Sequence, residues 1–201
     1  MNTKIKTIIF DCFGVICDPV LYKWYEKNSS EYGFSDEDLP NVLRKFDLGI
    51  LNEDDIVNYF TQYKGIKSTK EEIFQEIDSY LRVDQELVAV IRKLKDKGYR
   101  IILLSNGHHF FFERKIYKAY PDFEKLFDKI IISSQVNMVK PDAEIYLHTL
   151  EKATSHPEES IFIDDSKPNV DAAIKLGMHG HVYTDSASFV KHLEALGILL
   201  K

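Results

Sequence analysis

The chain has 201 residues, 44% of them hydrophobic and 29% charged, with a formal net charge of −6. That length holds one ample core, or a core and a small second unit. A mildly acidic chain without a basic run lacks the phosphate-neutralising charge that nucleic acids and anionic membranes require, so neither is an expected partner.

Lys4 to Phe10 reads as a buried strand: Ile5, Ile8, Ile9 and Phe10 crowd β-formers into a short run. No secretory leader is expected from Met1 to Lys4, and no apolar run reaches the ~18 residues of a membrane span. The run ends in Asp11, and Gly14 marks a turn. Cys12 and Cys17 are the only cysteines, too few for a disulfide framework, which fits a reducing, cytoplasmic compartment. From Val20 to Leu81 apolar residues recur at helical spacing. Leu21, Trp24 and Tyr25 share one face, and Leu39, Leu43 and Phe46 another. Asn52 suits the N-cap of a helix carrying Ile56, Phe60 and Tyr63, with Gly65 as its stop. Ser68-Thr69-Lys70-Glu71 has capping-box spacing for a further helix with Ile73, Phe74, Ile77 and Leu81. This all-helical stretch is too long for a simple crossover and reads as an insertion.

Asp84 to Lys97 reads as a helix stopped by Gly98. Then come a strand over Arg100 to Leu104 ending in Ser105-Asn106-Gly107, helical residues 108–120, and a strand over Lys129 to Ile132. Pro141 suits the first turn of a helix carrying Ile145, Leu147, His148 and Leu150. Ser160 to Ile163 is a strand ending in Asp164-Asp165. A helix over Asn169 to Leu176, a short strand over His181 to Tyr183 and a helix over Phe189 to Leu196 close the chain. Repeated strand-helix units predict an α/β fold, a Rossmann-like parallel-sheet core with an inserted all-helical cap subdomain: core at 1–17 and 83–201, cap at 18–82.

In such a sheet the carboxyl ends of all strands share one edge, where ligands bind. Asp11, Ser105, Lys140 and Asp164-Asp165 each follow a strand and are expected to converge. Several carboxylates with an open position suit a hard divalent ion, and few ligands with several waters favour Mg2+ over Ca2+. Lys140 and Mg2+ would keep Asp11 ionised among its neighbours. The Ser105 hydroxyl, and the amides of Asn106 and of the turn after Asp11, suit phosphate oxygens. Asp11 would attack phosphorus to form an aspartyl-phosphate that water hydrolyses.

Phe10-Asp11-Cys12-Phe13-Gly14-Val15, Leu104-Ser105-Asn106-Gly107, Lys140-Pro141-Asp142 with Ile145-Tyr146, and Phe162-Ile163-Asp164-Asp165 with Asn169 resemble the four motifs of the haloacid dehalogenase-like hydrolase superfamily, in order and spacing. The insertion resembles the helical cap of its phosphatase and dehalogenase branch, and Gly49-Ile50-Leu51-Asn52 with Asp54-Asp55 is similar to a turn of such caps. The resemblance implies Asp11 as nucleophile and metal ligand, the Phe13 backbone carbonyl and Asp165 as metal ligands, and Asp164 as a ligand or its neighbour. It implies that Ser105, Asn106 and Lys140 hold the phosphoryl group and that Asn169 orients Lys140.

Phosphatases of that family usually carry a second aspartate where this chain has Phe13. That group protonates the leaving oxygen and activates water, help typically worth about 10²–10⁴-fold. The dehalogenases have an aromatic residue there, but usually no carboxylate pair in the fourth motif. The expected activity is a Mg2+-dependent phosphatase of a small phosphorylated metabolite. A sugar 1-phosphate depends least on the missing acid. The alternatives are a weakly active or partner-binding member, and a metal-independent 2-haloacid dehalogenase. His108 and His109 read as a helix-start surface pair or as substrate contacts, with histidine able to supply an acid. Trp24 and Tyr25 read as cap-core packing or as pocket wall, and Arg44 and Lys45 as a solvated face or a distal anion site. Phe110-Phe111-Phe112 reads as core or as a dimer patch, which leaves monomer and homodimer both open.

Overall fold

The computed structural model describes residues 5–32, 37, 39–64 and 66–200, except the side chains of 30–32 and 62–64. The strand start at Lys4, the Tyr63 side chain and the Gly65 stop lie outside them. The strands β1 (Thr7–Phe10), β2 (Arg100–Ser105), β3 (Lys129–Ile132), β4 (Ser160–Asp164) and β5 (His179–Val182) form one sheet in the order β3-β2-β1-β4-β5. Every pairing is parallel, with Ile9 opposite both Ile102 and Phe162. Side chains alternate between faces along a strand. Ile8, Phe10, Ile101, Leu103, Ile161 and Ile163 therefore join one core cluster, while Ile9, Ile102, Leu104 and Phe162 join another. Both faces of β1 are dry, which is why it reads as an unbroken apolar run.

Four helices follow β1: α1 (Val20–Tyr32), α2 (Leu39–Asp47), α3 (Glu53–Lys64) and α4 (Lys70–Ser79). Thr69 and Glu72 close the expected capping box at α4, and Asn52 accepts from the amides of Asp54 and Asp55 at α3. The chain leaves for these helices and returns from them at one place. The Asp18 amide donates to the Arg82 carbonyl, the Asp84 amide donates to the Ile16 carbonyl, and Cys17 pairs with Val83. Helix α5 (Gln85–Asp96) then starts at Asp84, whose carboxylate caps it.

After β2, α6 (His109–Phe111), a π turn (Phe112–Ile116) and α7 (Tyr117–Ala119) run end to end. Phe111 and Phe112 are buried in the first core cluster, while Phe110 is exposed. A short α8 (Ser133–Val136), absent from the sequence reading, follows β3. Pro141 does not begin the next helix. The Lys140–Pro141 peptide is cis, Asp142 is the N-cap, and α9 runs Ala143–Ala153. The buried face of α9 is Ile145, Tyr146, Thr149, Leu150 and Ala153, so Leu147 is not core but exposed. Helices α10 (Lys167–Lys175) and α11 (Ser186–Ala195) complete the fold. Among the described residues no helix is long and apolar enough to cross a membrane.

The α2–α3 loop rests on α8. Ser133 Oγ donates to the Asp47 carbonyl at 2.6 Å, and Asn137 Nδ2 donates to the Leu48 carbonyl at 2.9 Å. Gly49 has φ +72°, and a Cβ there would lie 2.6 Å from the Ser134 carbonyl oxygen. Gly49→Ala is therefore expected to destabilise the protein by about 2 kcal/mol or more, the left-handed backbone alone costing about 1–2 kcal/mol. A urea titration reads this as a lower midpoint at unchanged slope.

Candidate active site

Connections from β1 run to β2 on one side and reach β4 on the other, so the sheet opens a crevice at the carboxyl end of β1. Asp11 stands there, Ser105 ends β2, and Asp164 ends β4. Lys140 enters from the loop after α8. Asp11, Lys140, Asp164 and Asp165 converge as expected. Lys140 Nζ lies 2.7 Å from Asp11 Oδ1 and 2.7 Å from Asp164 Oδ2, and all three side chains are buried. Asp11 Oδ1 also accepts from the Cys12 amide at 2.6 Å.

Asn106 and Asn169 hold this centre by other routes than expected. Asn106 Nδ2 donates to the Lys140 carbonyl at 3.0 Å, and its Oδ1 accepts from the Lys140 amide at 2.9 Å. The Asn106 side chain thus clamps the lysine's backbone and is not free for a phosphoryl group. Asn169 Nδ2 lies 3.1 Å from both oxygens of Asp164, so it positions Asp164 and acts on Lys140 through it. The Ser166 amide also donates to Asp164, at 2.8 Å. Ser105 is fully buried and its hydroxyl donates to the Asn106 carbonyl. In the turn after Asp11, the amides of Cys12, Gly14, Val15, Ile16 and Cys17 all donate within the turn. Among the described residues this leaves the amides of Phe13, Asn106 and His108 as the unengaged donors of the two loops.

One ammonium faces three carboxylates. Asp11, Asp164 and Asp165 each offer an oxygen within 4.8 Å of the others. Gly14 makes this possible: at φ +91° it carries no Cβ, which would stand 2.3 Å from Asp165 Oδ2. Burial pushes the Asp11 carboxyl well above its ordinary range; Lys140 opposes this and Asp164 adds to it. Asp165 is raised by burial and by Asp164. Burial also works against the Lys140 ammonium, but Asp11 and Asp164 outweigh it and raise its pKa. The excess negative charge and all-oxygen donor set fit a hard divalent cation. Cys12 and Cys17 are free and buried, and burial pushes the Cys12 thiol up, away from the reactive thiolate.

Beside this centre lies a cavity of about 430 Å³ between α1–α4 and the loops after β1 and β2. Phe13 forms part of its wall, packed 5.7 Å from both Phe111 and Phe112 between ring centroids. Tyr25 lines it; Trp24 does not. Trp24 is fully buried, 4.8 Å from Phe60 between ring centroids, and its Nε1 donates to Glu76, so its place is inside the helical layer. His108 lines the cavity but is not a surface residue. It is 5% exposed, stacked on Phe46 at 4.8 Å, with Nδ1 unpartnered among the described residues. Burial and His109 lower its pKa. Arg44 pairs with Asp142.

Two residues escaped the sequence reading. Asp47 lines the cavity, and burial pushes its carboxyl to about 7, against the pull of Lys140. Its signal was a carboxylate on an apolar stripe, at i+4 from Leu43 and i+8 from Leu39. Ser133 accepts from the Gly107 amide at 3.0 Å while holding the Asp47 carbonyl, tying the loop after β2 to α2. A serine after a strand carries no such signal.

Over 211 aligned residues the chain is 28% identical to the sesquiterpene phosphatase of Aspergillus oryzae, covering 98% of each. It is 28% identical to the phosphorylated carbohydrates phosphatase of Thermotoga maritima, over 87% of this chain and 82% of that one. A HAD family enzyme from Bacteroides thetaiotaomicron superposes with a TM-score of 0.76 at 22% identity, over 92% of this chain and 98% of that one. The model of the family described as haloacid dehalogenase-like hydrolase matches residues 5–177, and the chain belongs to that family.

Proposed function

We propose that the protein is a Mg2+-dependent phosphatase that hydrolyses a small phosphate monoester through an aspartyl-phosphate on Asp11. The carrying observation is the buried Lys140 ammonium between Asp11 and Asp164, with the third carboxylate of Asp165 beside them. Asp11, Asp165 and the Phe13 carbonyl would hold the ion, with Asp164 alongside, and bound there it supplies charge to neutralise the transferring group.

Asp11 Oδ1 is held by Lys140 and the Cys12 amide, so Oδ2 is the attacking oxygen. Its bond to phosphorus forms as the ester P–O bond breaks. Lys140 and the amides of Phe13 and Asn106 stabilise the charge on the phosphoryl oxygens. Water then attacks the same phosphorus and frees Asp11 with inorganic phosphate. Phe13 cannot move the protons these steps need. Burial and His109 disfavour the acidic imidazolium form of His108, whereas Asp47 holds a proton up to about pH 7 and lines the same cavity. Asp47 therefore donates to the leaving oxygen and later takes a proton from water.

The two phosphatase relatives are named for alcohols of opposite polarity, a sesquiterpene and phosphorylated carbohydrates, so their names support the reaction and leave the alcohol open. The dehalogenase reading is disfavoured by the close third carboxylate, which a metal-free site has no use for.

Hydrolysis of p-nitrophenyl phosphate is expected to stop with EDTA, return with Mg2+, and vanish in Asp11→Asn. Chloride release from 2-haloacids without metal would reverse the assignment. Asp47→Asn is expected to lower kcat on an alkyl phosphate by about 10²-fold, with a smaller loss on the p-nitrophenyl ester, whose leaving group needs less protonation. The same variant has a stability signature. Asp47 binds its proton more tightly folded, at about 7, than at its ordinary 3.8. Its contribution is full below the ordinary value and is lost as pH rises through about 7. Between pH 5 and pH 8 the wild type should lose about 2–3 kcal/mol that Asp47→Asn does not lose, read from urea midpoints.

A further inference from the structure

The cavity beside Asp11 has a wall chemistry that selects the alcohol. Leu21, Leu43, Phe46, Ile56, Phe60 and Phe74 supply it from the four helices, and Phe13 and Phe111 from the core. Few of its residues are polar, and most of these are paired or stand at the catalytic end. Arg114 is paired with Asp78 and Glu53 and lies over the rings of Phe74 and Phe111. The Asn106 side-chain amide is spent on the Lys140 backbone. Asp47, which feels the Lys140 charge, and His108, next to the loop after β2, follow, and Tyr22 and Tyr25 are the other polar side chains of the wall.

We infer that the substrate is the phosphate monoester of a long apolar alcohol, whose hydrocarbon chain fills this cavity while its phosphate meets Asp11, Lys140 and the amides of Phe13 and Asn106. The inference rests on the phosphatase reading of the adjoining site. A volume of about 430 Å³ holds roughly a dozen carbons, taking about 30 Å³ for a water-sized group. A sugar of that size would bury several hydroxyls among rings and aliphatic side chains, and each hydroxyl left without a partner weakens binding about five- to a hundredfold. Phe13 gains a purpose here. A carboxylate at that position would place a charge in the wall; the phenyl ring, seated on Phe111 and Phe112 and against Gly107, continues the apolar surface. The proton work passes to Asp47 at the cavity's catalytic end.

The test is a series of n-alkyl phosphates from ethyl to dodecyl, below their micellar concentrations, with glucose 1-phosphate and glucose 6-phosphate beside them. Turnover is measured with wild type and Mg2+, and affinity by calorimetry with Asp11→Asn and Mg2+. Affinity and kcat/KM are expected to rise about fourfold per methylene until the cavity is full, and both sugar phosphates to fall at least a hundredfold below the decyl ester. No dependence on chain length, or sugar phosphates bound as well as the decyl ester, overturns the inference and leaves the phosphatase reading standing if turnover is seen. Affinity that climbs with chain length without turnover of any ester supports the cavity assignment and overturns the phosphatase reading.

Discussion

The ammonium of Lys140 is the group on which the rest of the structure depends. It is buried, with two buried carboxylates within hydrogen-bonding distance, and a charge so placed is tolerable only with partners in good geometry. Asn106 fixes the lysine's backbone, Asn169 and the Ser166 amide fix Asp164, and the Tyr146 hydroxyl fixes the Asn169 carbonyl. Removal of Lys140 leaves two buried carboxylates without their cation. One cation among three carboxylates leaves the crevice with an excess of acidic groups, a donor set that fits a divalent ion.

The helical layer is coupled to this centre through backbone carbonyls. Ser133 takes the Gly107 amide and gives its proton to the Asp47 carbonyl, so the loop that carries Asn106 and the helix end that carries Asp47 share one hydroxyl. The stacked rings of Phe46 and His108 join the same two layers beside it.

The sheet edge was legible because each of its residues terminates an apolar run, and run endings survive in one-dimensional sequence. Asp11, Lys140 and the aspartate pair needed only the parallel topology to be brought together. Asn106 and Asn169 were legible as members of the site but not as to their contacts, because an amide can serve either a ligand or a neighbouring backbone and nothing local decides which. Phe13 was legible only as a loss. What it gained lies in a cavity assembled from helices distant in sequence, and periodicity marks an apolar face without saying whether that face closes on itself, as Trp24 does, or borders open space, as Tyr25 does. Asp47 was hidden for the opposite reason: a carboxylate at a helix end is ordinary, and only tertiary burial pushes its carboxyl to about 7.

The paired crossings at Cys17 and Val83 have a structural consequence. Backbone hydrogen bonds join the outgoing and returning chain directly beyond the Asp11 turn. Seen from the sheet, everything in between is a closed excursion whose ends meet, so its length and contents change without disturbing how β1 lies against β2. The sheet edge with its carboxylates and the helical wall of the cavity can therefore change separately, and relatives with a superposable sheet need not share a cavity.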